Sequence, residues 1–276
     1  MTLGAANEGV FDGDTLALWE PHIRAFVEIL PVATATHEGV LSGLTFGVKD
    51  IIDVEGAHTR NGSATSVDVS LATKDAEVVA ALRAQGARVV GKTSTTEFAF
   101  TDPTDCRNPH DLSRTPGGSS SGSGAAVAAG LVDFALGTQT AGSLCRPAAY
   151  CGVVGFKPTY GALSRAGVTP LAPGFDSVGV IAKSVTVAKS AFAVMHNQKT
   201  SPEGKLKTFV RWLLPGEVKA SSDTLSALDA ATKALALNAE FLPPPSVPCD
   251  PQAIVDAHRM VMLAEAFEAH GCILRS

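Results

Sequence analysis

The feature that most constrains this chain is the run Gly117-Gly118-Ser119-Ser120-Ser121-Gly122-Ser123-Gly124. After an apolar stretch it is followed by Thr138-Gln139-Thr140-Ala141-Gly142-Ser143-Leu144-Cys145-Arg146-Pro147. The segment from Gly117 to Gly179 holds 13 of the chain's 26 glycines. Between the two loops, Ala125-Ala126-Val127-Ala128-Ala129 and Val132-Asp133-Phe134-Ala135-Leu136 read as a helix and a buried strand. A flexible linker carries no such apolar inserts, so the small residues allow close packing around a shaped site.

Helices and strands alternate on both sides of this centre. Residues 14 to 31 place Leu16, Leu18, Trp19, Ile23, Phe26, Val27 and Leu30 on one helical face. Leu44 to Lys49 reads as a strand running into a turn. Asp75 to Gly86 is a helix with an acidic first turn and a terminal glycine, and Ala87 to Gly91 is the strand after it. Further on come a strand at Ser177–Ile181, a helix at Val185–His196, a strand at Thr208–Leu214 and a helix at Ser222–Glu240. The prolines of Leu242–Pro248 demand an extended connector, and a last helix covers Pro251–Ala269. The alternation implies an α/β sheet, and 276 residues at 45% hydrophobic content can bury a sizeable core.

Bulk properties narrow the ligands. The formal charge is −5, from 22 basic and 27 acidic residues, with no basic run to track phosphates, so direct nucleic-acid binding is not expected. Cys106, Cys145, Cys151, Cys249 and Cys272 are odd in number and irregularly spaced, with no zinc-ligand pattern, and read as reduced thiols without a metal. Met1 to Glu8 lacks a basic start and an apolar core, and no run approaches eighteen apolar residues. A cytoplasmic location away from membranes is the expectation.

Three chemistries compete for the serine-rich loop. A phosphate cradle requires a lysine after its glycines, and none follows. Gly118-Ser119-Ser120-Ser121-Gly122 matches the nucleophile elbow of α/β-hydrolases, with Ser120 as nucleophile, but the preceding Asn108 to Pro116 carries two prolines and cannot be the core strand an elbow leaves. The third reading joins both serine loops to Gly47-Val48-Lys49-Asp50. An amine serves as base for a serine when burial suppresses its charge, and Phe46, Val48, Ile51 and Ile52 flank Lys49.

These residues resemble the amidase signature family. Its hallmark loops and the PAA, CGVVG and KPTYG motifs correspond to Gly117–Ser123, Gly137–Ser143, Pro147–Ala149, Cys151–Gly155 and Lys157–Gly161, and its lysine turn to Gly47–Asp50. The resemblance runs from about Phe26 to Val185. It implies a mixed central sheet covered by helices on both faces, with part of the usual C-terminal region missing. On that basis residues 1–276 form one amidase-like domain: an N-terminal helical segment (1–40), a catalytic core (41–200) and a partial C-terminal region (201–276).

Carried over residue by residue, the resemblance makes Ser143 the nucleophile, Ser119 a bridging serine on a cis peptide bond, and Lys49 the base. The N–H groups of Thr140, Ala141, Gly142 and Ser143 become the oxyanion hole. Ala141 and Ser121 stand where the family often has glycine. Arg146 occupies a position where some members that act on carboxylate-bearing amides have arginine and amidotransferase subunits have glutamine; a structural ion pair is the other reading of it. Ser120, Gln139, Arg165 and Asp176 would support the site from behind.

The function implied is a serine amidohydrolase that cleaves a small amide through an acyl-enzyme, with no metal or organic cofactor and with homo-oligomerisation open. A truncated or non-catalytic relative, acting as a binding protein or an amidotransferase-like subunit, is the alternative. A thiol amidase using Cys151, Lys49 and Glu97 has the residue types without the spacing.

Overall fold

The computed structural model describes residues 13–31, 37–66, 68–196, 208–211, 220–237, 239–243 and 250–271. The expected N-terminal features of Met1–Glu8, the prolines of 244–248, and Cys249 and Cys272 lie outside them. So do residues 212–214 of one expected strand. By its internal contacts the chain divides into two compact units, 1–199 with 264–276, and 200–263.

The larger unit is built on a six-stranded sheet in the order β1-β3-β2-β4-β6-β5. Its strands are β1 (Phe26–Ile29), β2 (Thr45–Lys49), β3 (Arg88–Thr93), β4 (Phe134–Gln139), β5 (Val154–Phe156) and β6 (Ser177–Ala182). β2 runs parallel to β3 and β4, while β1, β6 and β5 pair antiparallel with their neighbours, so the sheet is mixed.

Strand alternation assigns the two faces. Phe46, Val48, Phe134, Leu136, Val178 and Val180 face a core completed by α2 (Glu77–Ala84) and α5 (Val185–His196). The rings of Phe46 and Phe134 stack there at 5.1 Å. Ala135 and Ile181 face the opposite way, toward α1 (Gly13–Ile23), α3 (Ser121–Ala128) and α4 (Cys145–Tyr150).

This second face is built for close approach. A β-carbon at Gly137 would lie 2.8 Å from Ser120 Oγ, and one at Gly122 would lie 2.1 Å from the Ala25 carbonyl oxygen. Glycine at both positions lets the start of α3 settle onto the sheet.

The structure revises several elements. The helix expected over residues 14 to 31 stops at Ile23, and Phe26–Ile29 is the edge strand β1. Arg24 adopts a left-handed φ of 53°, and the Glu20 carboxylate accepts the N–H groups of Ala25 and Phe26. Pairing with β3 then converts an apparent helical face into an alternating strand, a tertiary contact overriding a local pattern. The strand expected at 132–136 instead runs from Phe134 to Gln139, because β6 pairs with it along that whole length. The helix expected at 125–129 begins at Ser121, and α4 and β5 were not anticipated.

The smaller unit pairs β7 (Thr208–Val210) in parallel with β8 (Glu240–Leu242), and α6 (Ser222–Ala236) connects them. Glu240 and Leu242 therefore belong to a strand rather than to a helix end or a connector. Phe209 packs near Phe241, and Arg211 pairs with Asp229 at 2.7 Å. The long helix α7 (Pro251–His270) begins here, and its last turns from Ala264 belong to the larger unit. None of the described helices is long and apolar enough to cross a membrane.

Candidate active site

The parallel strands β2, β3 and β4 carry Lys49, Thr93 and Gln139 at their carboxyl ends. Open α/β sheets place ligands beyond such ends. Lys49 Nζ lies 2.7 Å from Ser119 Oγ and 2.8 Å from Thr138 Oγ1. Lys49 is 0% exposed and Ser119 1%, whereas Ser143 retains 8%.

Both neighbours of the amine are neutral hydroxyls that can donate or accept. Burial drives Lys49 from 10.5 down to about 7, with the Asp176 charge pulling the other way. Near neutral pH the amine can therefore shed its charge and accept a proton from Ser119.

The loop of Ser119 is tied down at several points. The Gly118–Ser119 peptide is cis, and Thr96 N–H donates to the Ser119 carbonyl at 3.2 Å. Ser120 Oγ accepts from Thr138 N–H and donates to the Thr138 carbonyl, both at 3.3 Å. Ser123 Oγ donates to the Leu136 carbonyl at 2.9 Å. Ser120 is 0% exposed and wholly engaged in these bonds, which removes it as an elbow nucleophile.

Ser143 is joined to the same loop through its backbone, its carbonyl accepting Ser120 N–H at 3.1 Å. No hydrogen bond links the hydroxyls of Ser143 and Ser119 among the described residues. Contact is thus direct between Lys49 and Ser119, and Ser143 is adjacent through the main chain.

Two side chains anchor the turn between β4 and α4. Gln139 Oε1 accepts the N–H groups of Leu144 and Cys145 at 3.1 and 3.0 Å. Thr140 Oγ1 donates to Asp176 Oδ1, while Asp176 Oδ2 accepts from Leu171 and Ala172 N–H at 2.8 and 3.0 Å. Between these anchors the N–H groups of Ala141, Gly142 and Ser143 donate to no protein acceptor among the described residues. Such a group of fixed, unused donors suits a developing oxyanion. The exposed position of Ala141 accommodates its β-carbon, and Ser121 is buried as the first residue of α3.

Arg146 is exposed, and its guanidinium lies over Gly142, where an added β-carbon would meet Nη2 at 3.2 Å. Among the described residues no carboxylate pairs with it. Arg165 stands further out: Nη1 donates to the Pro173 carbonyl, Nη2 donates to Tyr160 Oη at 3.3 Å, and the guanidinium lies 5.2 Å from the Tyr160 ring centre. It braces the loop before Asp176 and lines a small cavity with Thr138 and Asp176.

The thiol alternative does not assemble. Burial pushes Cys151 up to about 12, its Sγ faces the Pro116 carbonyl at 3.6 Å, and Glu97 accepts from Ser63 Oγ at 2.6 Å. Cys106, Cys145 and Cys151 are free, and no cluster of three or more His, Cys, Asp or Glu able to hold a metal occurs among the described residues. Sequence reasoning missed Thr138 as a partner of Lys49 and Thr96 as a support of Ser119. The signal for Thr138 was a hydroxyl residue near the end of an otherwise apolar strand.

The family model described as Amidase matches residues 27–226. Over 184 residues the chain is 44% identical to Amidase 1 of Arabidopsis thaliana, covering 63% of this chain and 43% of that protein. It is 43% identical over 203 residues to a Glutamyl-tRNA(Gln) amidotransferase subunit of Treponema pallidum subsp. pallidum, covering 70% and 40%. The structure of a Glutamyl-tRNA(Gln) amidotransferase subunit from Thermotoga maritima superimposes with a TM-score of 0.80 at 31% identity, covering 92% of this chain and 61% of that one. The chain thus spans about two fifths of the length of the curated relatives it matches.

Proposed function

The chain belongs to the amidase family, and from that premise we propose that it is a serine amidohydrolase cleaving a C–N amide bond of a small molecule through an acyl-enzyme. The observation that carries this reading is the fully buried Lys49 amine, 2.7 Å from Ser119 Oγ and titrating near neutrality at about 7. Neutral Lys49 draws a proton from Ser119, which takes one from Ser143, whose oxygen attacks the amide carbonyl. The free N–H groups of Ala141, Gly142 and Ser143, with Thr140 holding the turn, receive the oxyanion. Ser119 returns the proton to the leaving amine, and water then cleaves the acyl-enzyme by the reverse relay.

The relay requires the Ser143 hydroxyl to approach Ser119 when substrate binds, as catalytic hydrogen bonds that are long in the free enzyme commonly tighten only around substrate. Labelling the folded chain with a fluorophosphonate and mapping the adduct tests the reading. The expected adduct is on Ser143 and is lost in Ser143→Ala; labelling elsewhere, or none, would sink it.

Arg146 extends the reading to substrate choice. An exposed guanidinium beside the hole, with no carboxylate partner among the described residues, suits amides that bear a carboxylate near the scissile carbonyl. Arg146→Leu should then lower kcat/KM for acidic amides by roughly two orders of magnitude, as loss of a charged hydrogen bond does, and spare neutral amides. Equal losses on a matched acidic and neutral pair would make Arg146 a structural residue. Similarity to the amidotransferase subunits favours a second reading, in which the same chemistry serves a larger assembly. A stable complex recovered with a second, different chain would favour it, and a catalytically competent isolated chain would oppose it.

A further inference from the structure

Asp176 connects the turn of the oxyanion hole, through Thr140, with the loop 170–176. That loop is itself held by the last turns of α7. Glu265 Oε2 accepts Gly174 N–H at 2.7 Å, and His270 Nε2 donates to the Pro170 carbonyl at 2.7 Å. The His270 ring also packs on Phe98, with centroids 4.7 Å apart. Phe98 and Ala99 carry left-handed φ values of 45° and 62°, and they follow Thr96, whose N–H holds the Ser119 carbonyl. Two side chains near the end of α7 thus grip loop 170–176 across 91 and 100 residues of sequence, and one of them also touches the segment that supports Ser119.

We propose that Glu265 and His270 are positioning residues for the reaction, fixing loop 170–176 so that Asp176 holds Thr140 and keeps its charge directed at Lys49. The proposal rests on the catalytic reading above. Residues 171 and 172 donate to one oxygen of Asp176 while Thr140 binds the other, so a shift of the loop moves the carboxylate, and with it the hole. The groups facing Lys49 are the hydroxyls of Ser119 and Thr138 and the carboxylate of Asp176, with the Asp50–Lys92 ion pair next along the sheet. His270 faces Phe98 and the Pro170 carbonyl, and Glu265 lies about one turn and a half before it on α7.

The test uses the full chain and a fluorophosphonate, which reads Ser143 without a known substrate. In the wild type, labelling of Ser143 should accelerate with pH as Lys49 loses its proton. Glu265→Ala, and His270→Phe, which keeps a ring on Phe98 but deletes the donor, should each slow labelling by roughly tenfold. Both should move the acid limb to lower pH, as Asp176→Asn should, because a more distant carboxylate supports the ammonium less. Glu265→Gln keeps an acceptor and His270→Gln keeps a donor, so both should recover most of the rate. Adding His270→Phe to Asp176→Asn should shift the acid limb no further.

A wild-type rate and pH profile in Glu265→Ala and His270→Phe would overturn the proposal, as would a slowing that leaves the acid limb in place. Glu265→Met, which preserves the bulk of the stem, replaces the alanine variant if that does not fold. A wild type that takes no label on Ser143 refutes the catalytic reading itself, so the two failures are distinct.

Discussion

Lys49 and Lys92 are both fully buried, sit near the ends of adjacent parallel strands, and have opposite surroundings. Lys92 spends its three donors on Asp50 Oδ1 at 3.0 Å, the His58 carbonyl at 2.6 Å and Thr59 Oγ1 at 3.0 Å. Burial pushes it down, but Asp50 opposes this by charge and hydrogen bond, and Asp53 and Glu28 add to the opposition. Burial likewise pushes Asp50 up while Lys92 holds it down. Among the described residues Lys49 hydrogen-bonds only two hydroxyls, and the charge opposing its burial comes from Asp176. Burial alone therefore does not make a lysine a base. Among the described residues Lys49 contacts no carboxylate, which suits the base role proposed for it, because an ion pair stabilises the ammonium that a base must give up.

The comparison breaks most visibly in activity. Lys49→Met should reduce labelling of Ser143 by at least about three orders of magnitude while the chain stays folded, since members of one relay fail together. Equal labelling in the variant and the wild type would transfer the base role elsewhere.

Lys92→Met should act on stability instead. Removing one partner of a buried pair leaves Asp50 uncompensated and costs about 3–5 kcal/mol, read by chemical denaturation. Adding Asp50→Asn should restore part of that loss, because the remaining buried group is then neutral. A single variant as stable as the wild type would mean that the pair contributes nothing net.

The two lysines should also differ in how stability responds to pH. Between about 7 and the ordinary lysine value of 10.5, the unfolded chain binds a proton at Lys49 that the folded chain lacks, so this group's contribution to stability rises with pH across that window. Below about 7 the folded chain bears the full cost of a buried ammonium. Lys49→Met should therefore raise Tm at about pH 6, with a gain that shrinks toward about pH 10; a Tm difference constant over that range would contradict a depressed Lys49.

The smallest effect is expected at Thr138. Thr138→Val removes one hydroxyl partner from the amine and should slow labelling about tenfold, the scale of a single hydrogen bond. A loss as large as that of Lys49→Met would instead indicate that β4 had moved.

Much of the candidate site was legible because it lies in short runs whose residue types restrict each other. Lys49 with its apolar flanks, the serines of Gly117–Gly124 and the turn Thr140–Ser143 are all local. The strands β2, β4 and β6 could be read from predominantly apolar runs. What escaped was set by pairing across the chain. Phe26–Ile29 looked helical until β3 supplied a partner, and Thr138 gained its meaning only from a lysine 89 residues away.

Local residue patterns specify the α/β class and the loops that carry the three residues proposed for the relay, and favour desolvation of the amine, because glycines, serines and apolar flanks act on their immediate neighbours. The full burial of both lysines, which of them meets hydroxyls and which a carboxylate, and the hold of the end of α7 on the loop of Asp176 arise only from long-range packing. The reason is physical. Desolvation follows from the apolar character of a segment, but the field at a buried charge depends on partners brought within a few ångströms from distant parts of the chain, which only the closed sheet and its connecting loops define.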